Sequence, residues 1–310
     1  MACMVHMRNQ QRLAKRNKLS SARPIFEFPE EAKVMRKLSV LGAAVALAGV
    51  SMGAIAEGEA ESPHVFSANV ALTTDYIFRG ITQSGDGPAI QGGFDWQYKP
   101  VGLYAGVWAS NVELAVNGTP SKAINNRASM ELDIYGGFAG ALPNGIGWDV
   151  GGIIYTYPGN NEDGKIVDKN TGDVVFGGAE YDYQEAYFKT SYAFKEMPMN
   201  PTIRGGVYVS PDYFGEDGTS VYGVGTVGVT APYDIGIAVT LGYLAVEGDK
   251  TSGIPALDGY EYVHYSVGLS KAVGKFNLNL SWNDADKGCT EITGKEGLCN
   301  GVVFAVSSLF

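Results

Sequence analysis

Two groups of residues in this 310-residue chain have types and spacing with which chemistry could be done. His264, Tyr265 and Ser266 run consecutively, so on an extended strand His264 and Ser266 share a face. An imidazole beside a hydroxyl, with a carboxylate nearby, could activate that hydroxyl to attack an ester. The same face also carries Tyr262 and Ser270, opposite Val263, Tyr265, Val267 and Leu269. That is the make-up of a polar interior wall, and a bystander histidine is the expectation. The second group is larger. Asp75, Arg79, Gln91, Asp95, Gln97, Glu131, Asp133, Glu185, Lys189 and Arg204 fall on the polar side of alternating stretches. Around one interior they would present both signs of charge and could orient small polar solutes. They could also pair among themselves and fill the space. Asp75 and Arg79, four apart on one stretch, are expected to find structural partners.

The elements that must position these side chains are strands. From Ser67 onward, period-2 stretches are separated by clusters of Gly, Pro, Asn and Asp. In the stretch 89–98, Ile90, Phe94, Trp96 and Tyr98 oppose Gln91, Asp95 and Gln97. Lys275 to Asn283 repeats the design with Phe276, Leu278, Leu280 and Trp282. Strands are expected near 67–79, 89–98, 103–111, 128–138, 147–157, 180–193, 202–210, 221–230, 234–246, 260–271, 275–283 and 302–310. Twelve is an even number, and each stretch is near the ~9–11 residues that cross a bilayer with tilt. After Ala56 no apolar run approaches the ~20 residues of a spanning helix, so a membrane form of this chain is a closed barrel. The expectation is an all-β, transmembrane antiparallel barrel. Eight strands leave an interior that side chains fill and sixteen leave an aqueous channel, so twelve suggest a narrow pore.

The beginning of the sequence reads as an export signal. Met35-Arg36-Lys37 is basic, Leu38 to Val50 is apolar and rich in small residues, and Ala54-Ile55-Ala56 is a cleavage site. Residues 1–34 read as an upstream start chosen in error, 35–56 as a signal peptide, and 57–310 as the barrel. Residues 1–56 hold nine of the 23 Lys/Arg and three of the 33 Asp/Glu, which leaves 14 basic against 30 acidic, near −16. Such a surface repels phosphates, so nucleic acid is not an expected partner. Cys289 and Cys299 remain after cleavage, and an even pair in an exported chain reads as a disulfide closing a short loop. With only His64 and His264 besides, no structural metal site is expected. Asn160 to Gly164, Asp168 to Asn170 and Asp173 offer oxygens to Ca²⁺ but lack the spacing and final Glu of an EF-hand. No cofactor is expected.

Connection lengths give orientation. The turns after strands 2, 8 and 10 are short, whereas those after 3, 5, 9 and 11 are long, and 158–179 is the longest. Strands 1, 4 and 6 are followed by connections of intermediate length. Bacterial barrels have short periplasmic turns and longer external loops, so odd strands should end outside. Tyr76 and Phe78, Trp96 and Tyr98, and Tyr192 and Phe194 are placed as interfacial girdles would be. The final segment carries Val302, Phe304, Val306 and Phe310 at alternate positions from the end, with Ser308 as a departure. Phe304, Val306 and Phe310 are therefore candidates for the signal read by the outer-membrane assembly machinery.

Ser67 to Ser84, Pro88 to Asp95, Tyr104 to Asn111, Glu131 to Gly137 and Tyr155 to Gly159 together resemble the TorF-like porin family of proteobacteria. The likeness runs over roughly residues 57–310 and is densest in the first five strands. It implies an outer-membrane porin of a Gram-negative envelope, with membrane lipids and small polar solutes as partners, and names no substrate. His264 and Ser266 are spaced as in the lipid A deacylase barrels, but the Asn that follows that family's Ser is Val267 here. A porin that is not an enzyme is the leading expectation. A closed structural or adhesive barrel comes second, and a lipid hydrolase a distant third.

Overall fold

In the computed structural model the described residues are 62–116, 119–120, 128–159, 166–167, 174–176, 181–215, 218–248, 259–286, 289 and 296–310. The expected leader, the stretch before it, and the oxygen-bearing positions 160–164 and 168–173 lie outside them. Twelve strands form one closed antiparallel barrel. They are β1 (His64–Thr73), β2 (Ala89–Tyr98), β3 (Leu103–Asn111), β4 (Met130–Ala141), β5 (Gly147–Thr156) and β6 (Tyr183–Ala193), followed by β7 (Thr202–Ser210), β8 (Ser220–Ala231), β9 (Ile235–Val246), β10 (Tyr260–Val273), β11 (Phe276–Ala285) and β12 (Gly301–Leu309). Each pairs with its neighbours in sequence. β1 and β12 seal the cylinder from Asn69↔Leu309 to Thr73↔Ala305.

Alternation explains both surfaces. On β2, Ile90 and Phe94 point outward at 58% and 50% exposure, while Asp95 between the same ladders points inward at 7%. The outer wall continues through Phe66, Leu72, Ile134, Phe188, Val239 and Leu241, all exposed. A large exposed apolar belt around a polar interior is the surface of a barrel set in lipid, the inverse of a soluble core. Among the described residues, no helix is long and apolar enough to cross a membrane.

The first strand is shorter than its pattern suggests. The expected strand 67–79 is instead β1, which ends at Thr73, and residues 74–88 turn into the lumen around two short paired segments, Ile77–Phe78 and Ile81–Thr82. Arg79 and Gly80 take left-handed backbone angles, φ +48° and +86°, that no strand tolerates. Asp75 and Arg79 therefore do not share a strand face. Tyr76 and Phe78 are not girdle residues either, since they are buried inside the barrel at 4% and 9% exposure. With these bounds the shortest connection after an odd strand (211–219) is longer than the longest after an even one (194–201).

Candidate functional site

Charged side chains meet in the lumen, and its two ends differ. At the end with long connections, segment 74–88 crosses the interior. Asp75 shapes it, because its Oδ1 accepts from Thr82 Oγ1 at 2.6 Å and from Ser84 Oγ at 2.8 Å. Ser84 in turn accepts from the Tyr76 backbone N–H. Tyr76 donates its hydroxyl to Glu131 Oε1 on β4 at 3.3 Å. Burial, with the carboxylates of Glu131 and Asp133 beside it, raises the Tyr76 phenol well above its ordinary value, so it stays protonated and donates. Arg79 reaches β6, where its two terminal nitrogens donate to the two oxygens of Glu185 at 2.8 and 2.6 Å. Its guanidinium carbon lies 4.1 Å from the Tyr222 ring centroid and 4.8 Å from that of Phe78. Gly80 passes under β10, where a Cβ would come within 2.6 Å of the His264 Cβ.

Around this segment stand tyrosines. Tyr155 stacks on Tyr183 with centroids 4.3 Å apart, Tyr181 stacks on Phe214, and Tyr208 leans on Tyr222. Several lumen rings lie over a cross-strand glycine, Tyr135 over Gly106, Tyr187 over Gly151 and His264 over Gly242. At each of these glycines a Cβ would stand within 2.6 Å of the ring or its hydroxyl, so the wall is thinned where a ring rests.

The turn end is looser. Lys189 and Asp149 pair at 2.7 Å with side chains 16% and 18% exposed. Tyr104 donates to Asp149 at 2.6 Å and shares a 2.5 Å bond with Tyr187. Gln97 and Arg204 face inward here, both half-buried. Charge is also uneven around the circumference. β2 to β6 supply Asp95, Glu131, Asp133, Asp149 and Glu185, whereas β9 to β11 supply Thr240, Ser266, Asn279, Ser281 and Asn283.

Each site residue expected from the sequence can now be placed. Asp75 and Arg79 lie on the inserted segment. Gln91, Asp95, Gln97, Glu131, Asp133, Glu185, Lys189 and Arg204 project from strands toward the interior. Asp95 accepts from Tyr135 at 2.5 Å, while Glu131 Oε2 and Asp133 Oδ1 are buried with no hydrogen-bond partner. His264 Nε2 is bonded to Tyr222 Oη at 2.9 Å. Cys289 and Cys299 are joined by a disulfide, with S–S 2.11 Å. Phe304 and Phe310 point outward and Val306 is half-buried, and the Phe310 backbone exchanges bonds with Ala68 at 2.8 and 3.1 Å. Among the described residues no three His, Cys, Asp or Glu side chains are grouped to hold a metal. The sequence reading placed the serine and asparagine wall of β10 and β11 but missed most of the tyrosines of the lumen, which strand aromatics do not distinguish from girdle residues. Inward parity of Tyr155, Tyr183, Tyr187, Tyr208 and Tyr222 was the available signal.

Residues 57–307 match the model of a family described as a bacterial protein of unknown function (Gcw_chp). No curated protein matches the chain. Among solved structures, the KdgM porin is similar at 8% identity and TM-score 0.44, covering 79% of this chain and 98% of that one. The NanC porin stands at 10% identity and TM-score 0.42, covering 79% and 98%. LpxR from Salmonella typhimurium stands at 9% and 0.43, covering 79% and 99%.

Proposed function

Since the chain belongs to this bacterial family of unknown function, its role has to be sought in its own lumen, and we propose an outer-membrane porin that passes small polar solutes or ions by diffusion. The observation that carries this reading is the closed barrel with an apolar outside and an ionic inside, part of which solvent reaches at the turn end. The likeness of the first five strands to TorF-like porins supports it. In this reading residues 57–310 are the exported part, odd strands end outside a Gram-negative cell, and the outer belt meets membrane lipids. Phe304, Val306 and Phe310 serve the assembly machinery. Selection is by width and by Asp95, Asp149, Lys189 and Arg204, with no cofactor and no bond made or broken.

One observation favours a second reading. Segment 74–88 fills the loop end with buried side chains, as a closed structural barrel would require. Single-channel recording of purified, folded protein in planar bilayers separates the two. Steady conductance steps are expected of the porin. Silent bilayers containing verified folded barrel would leave the structural reading in place.

A further inference from the structure

Arg79 is held the way a ligand is held. Both members of its ion pair are enclosed, at 2% and 0% side-chain exposure. The carboxylate comes from β6, and the ring faces come from Tyr208 on β7, Tyr222 on β8 and Tyr213 on the connection between them. Their centroids lie 5.5, 4.1 and 5.8 Å from the guanidinium carbon. A carboxylate accepting two parallel bonds, with aromatic faces around it, is selective for a planar guanidinium over a compact ammonium. Everything in this box except Phe78 belongs to the barrel wall or its connections. The occupant belongs to an insert that leaves the wall at Thr73 and rejoins it at Ala89. That insert keeps its shape through its own bonds from Asp75 to Thr82 and Ser84. Its other polar tie to the lumen wall near this box, Tyr76 to Glu131, is long at 3.3 Å. The Glu113 N–H also donates to Gln83 O at 2.7 Å and Asn111 Nδ2 to Pro88 O at 3.2 Å, so Arg79 is an enclosed ionic anchor of a segment that hydrogen bonds hold elsewhere.

We propose that Glu185, Tyr208, Tyr213 and Tyr222 form a guanidinium-binding site, occupied at rest by the chain's own Arg79, and that a guanidinium-bearing solute competes for it and displaces segment 74–88. The displacement rests on the porin reading, whereas the site itself does not depend on conduction. Removing the occupant should expose the site. Arg79→Ala, confirmed as folded by its faster migration on unheated gels, is titrated in detergent with guanidinium chloride and, at matched ionic strength, with methylammonium chloride. Guanidinium should bind roughly tenfold more tightly, because the fork and the stacking are both lost to an ammonium. Adding Glu185→Gln to Arg79→Ala should abolish that preference. In bilayers, wild-type conductance should rise several-fold in guanidinium at roughly millimolar concentration or above, the order at which a tethered group competes. Should Arg79→Ala not fold, Arg79→Met, which keeps the stem and removes the cation, is titrated in its place with the same expectations.

Equal binding of the two cations, or a preference that survives Glu185→Gln, overturns the site. Selective binding without any rise in wild-type conductance, in bilayers where Arg79→Ala conducts, overturns the competition. Selective binding with every bilayer silent upholds the site and overturns the porin reading, so the two failures are told apart.

Discussion

The two ends of the lumen hold the same kinds of residue to different effect. At the turn end, Lys189 and Asp149 form an ion pair that solvent still reaches. At the loop end, Arg79 and Glu185 form one that solvent does not reach, roofed by aromatic rings. Both carboxylates are set by strand alternation. The difference lies in the cation, which at the turn end stands on a neighbouring strand and at the loop end arrives on an inserted segment. Alternation can therefore equip a lumen, but a segment outside the wall decides how much of it is open.

The comparison predicts a graded series. The largest effect should follow Glu185→Gln, which leaves the Arg79 guanidinium buried against neutral partners at a cost of about 3–5 kcal/mol. Urea unfolding in detergent measures it, and Arg79→Leu combined with Glu185→Leu should recover most of the loss. If the single change cost no more than a surface pair, the enclosed character of this bond would be wrong. Next comes the disulfide. Cys299→Ser removes a bridge spanning a sequence separation of 10, worth up to about 3 kcal/mol in the chain-entropy model. The barrel should still fold and shift on unheated gels, and two free thiols in the native protein by mass spectrometry would contradict the bridge. Lys189→Met at the partly exposed turn end should cost less, about 1–2 kcal/mol, with Tyr104 still donating to Asp149. The smallest contrast concerns selectivity. Asp149→Asn should move the reversal potential in a salt gradient towards anions more than Glu131→Gln does, because Glu131 is shielded at 1% exposure. The reverse order would show that ions pass the loop end readily.

Most of the wall was legible because a two-residue period is written into every strand. The strands 89–98, 103–111 and 202–210 match their sequence expectation in both limits. Segment 74–88 was not, for an identifiable reason. Tyr76, Phe78 and Asp75 continue the alternation of β1 past Thr73, so the pattern reads on while the chain leaves the sheet. The contrary evidence is local and easily passed over. Arg79-Gly80 must adopt positive φ, which is uncommon for a residue such as arginine. The partner of Arg79 lies 106 positions away, a distance no periodicity reports. The set of inward carboxylates could be read, but which of them receives a cation depends on tertiary placement alone.

The seam between β1 and β12 has a consequence for how the protein is made. Thr74 and Phe304, bonded across it, are 230 positions apart, so sealing requires the two ends of the barrel to meet. Contacts between neighbouring strands are local and can form early, while this one carries the largest loop-closure entropy and should form late. Until it does, β1 and the last strand assembled each present an open row of amide and carbonyl groups, the kind of edge on which chains aggregate. Folding to the closed form should accordingly be limited by a slow, unimolecular final step, in competition with aggregation that increases as the unsealed chain is held at higher density.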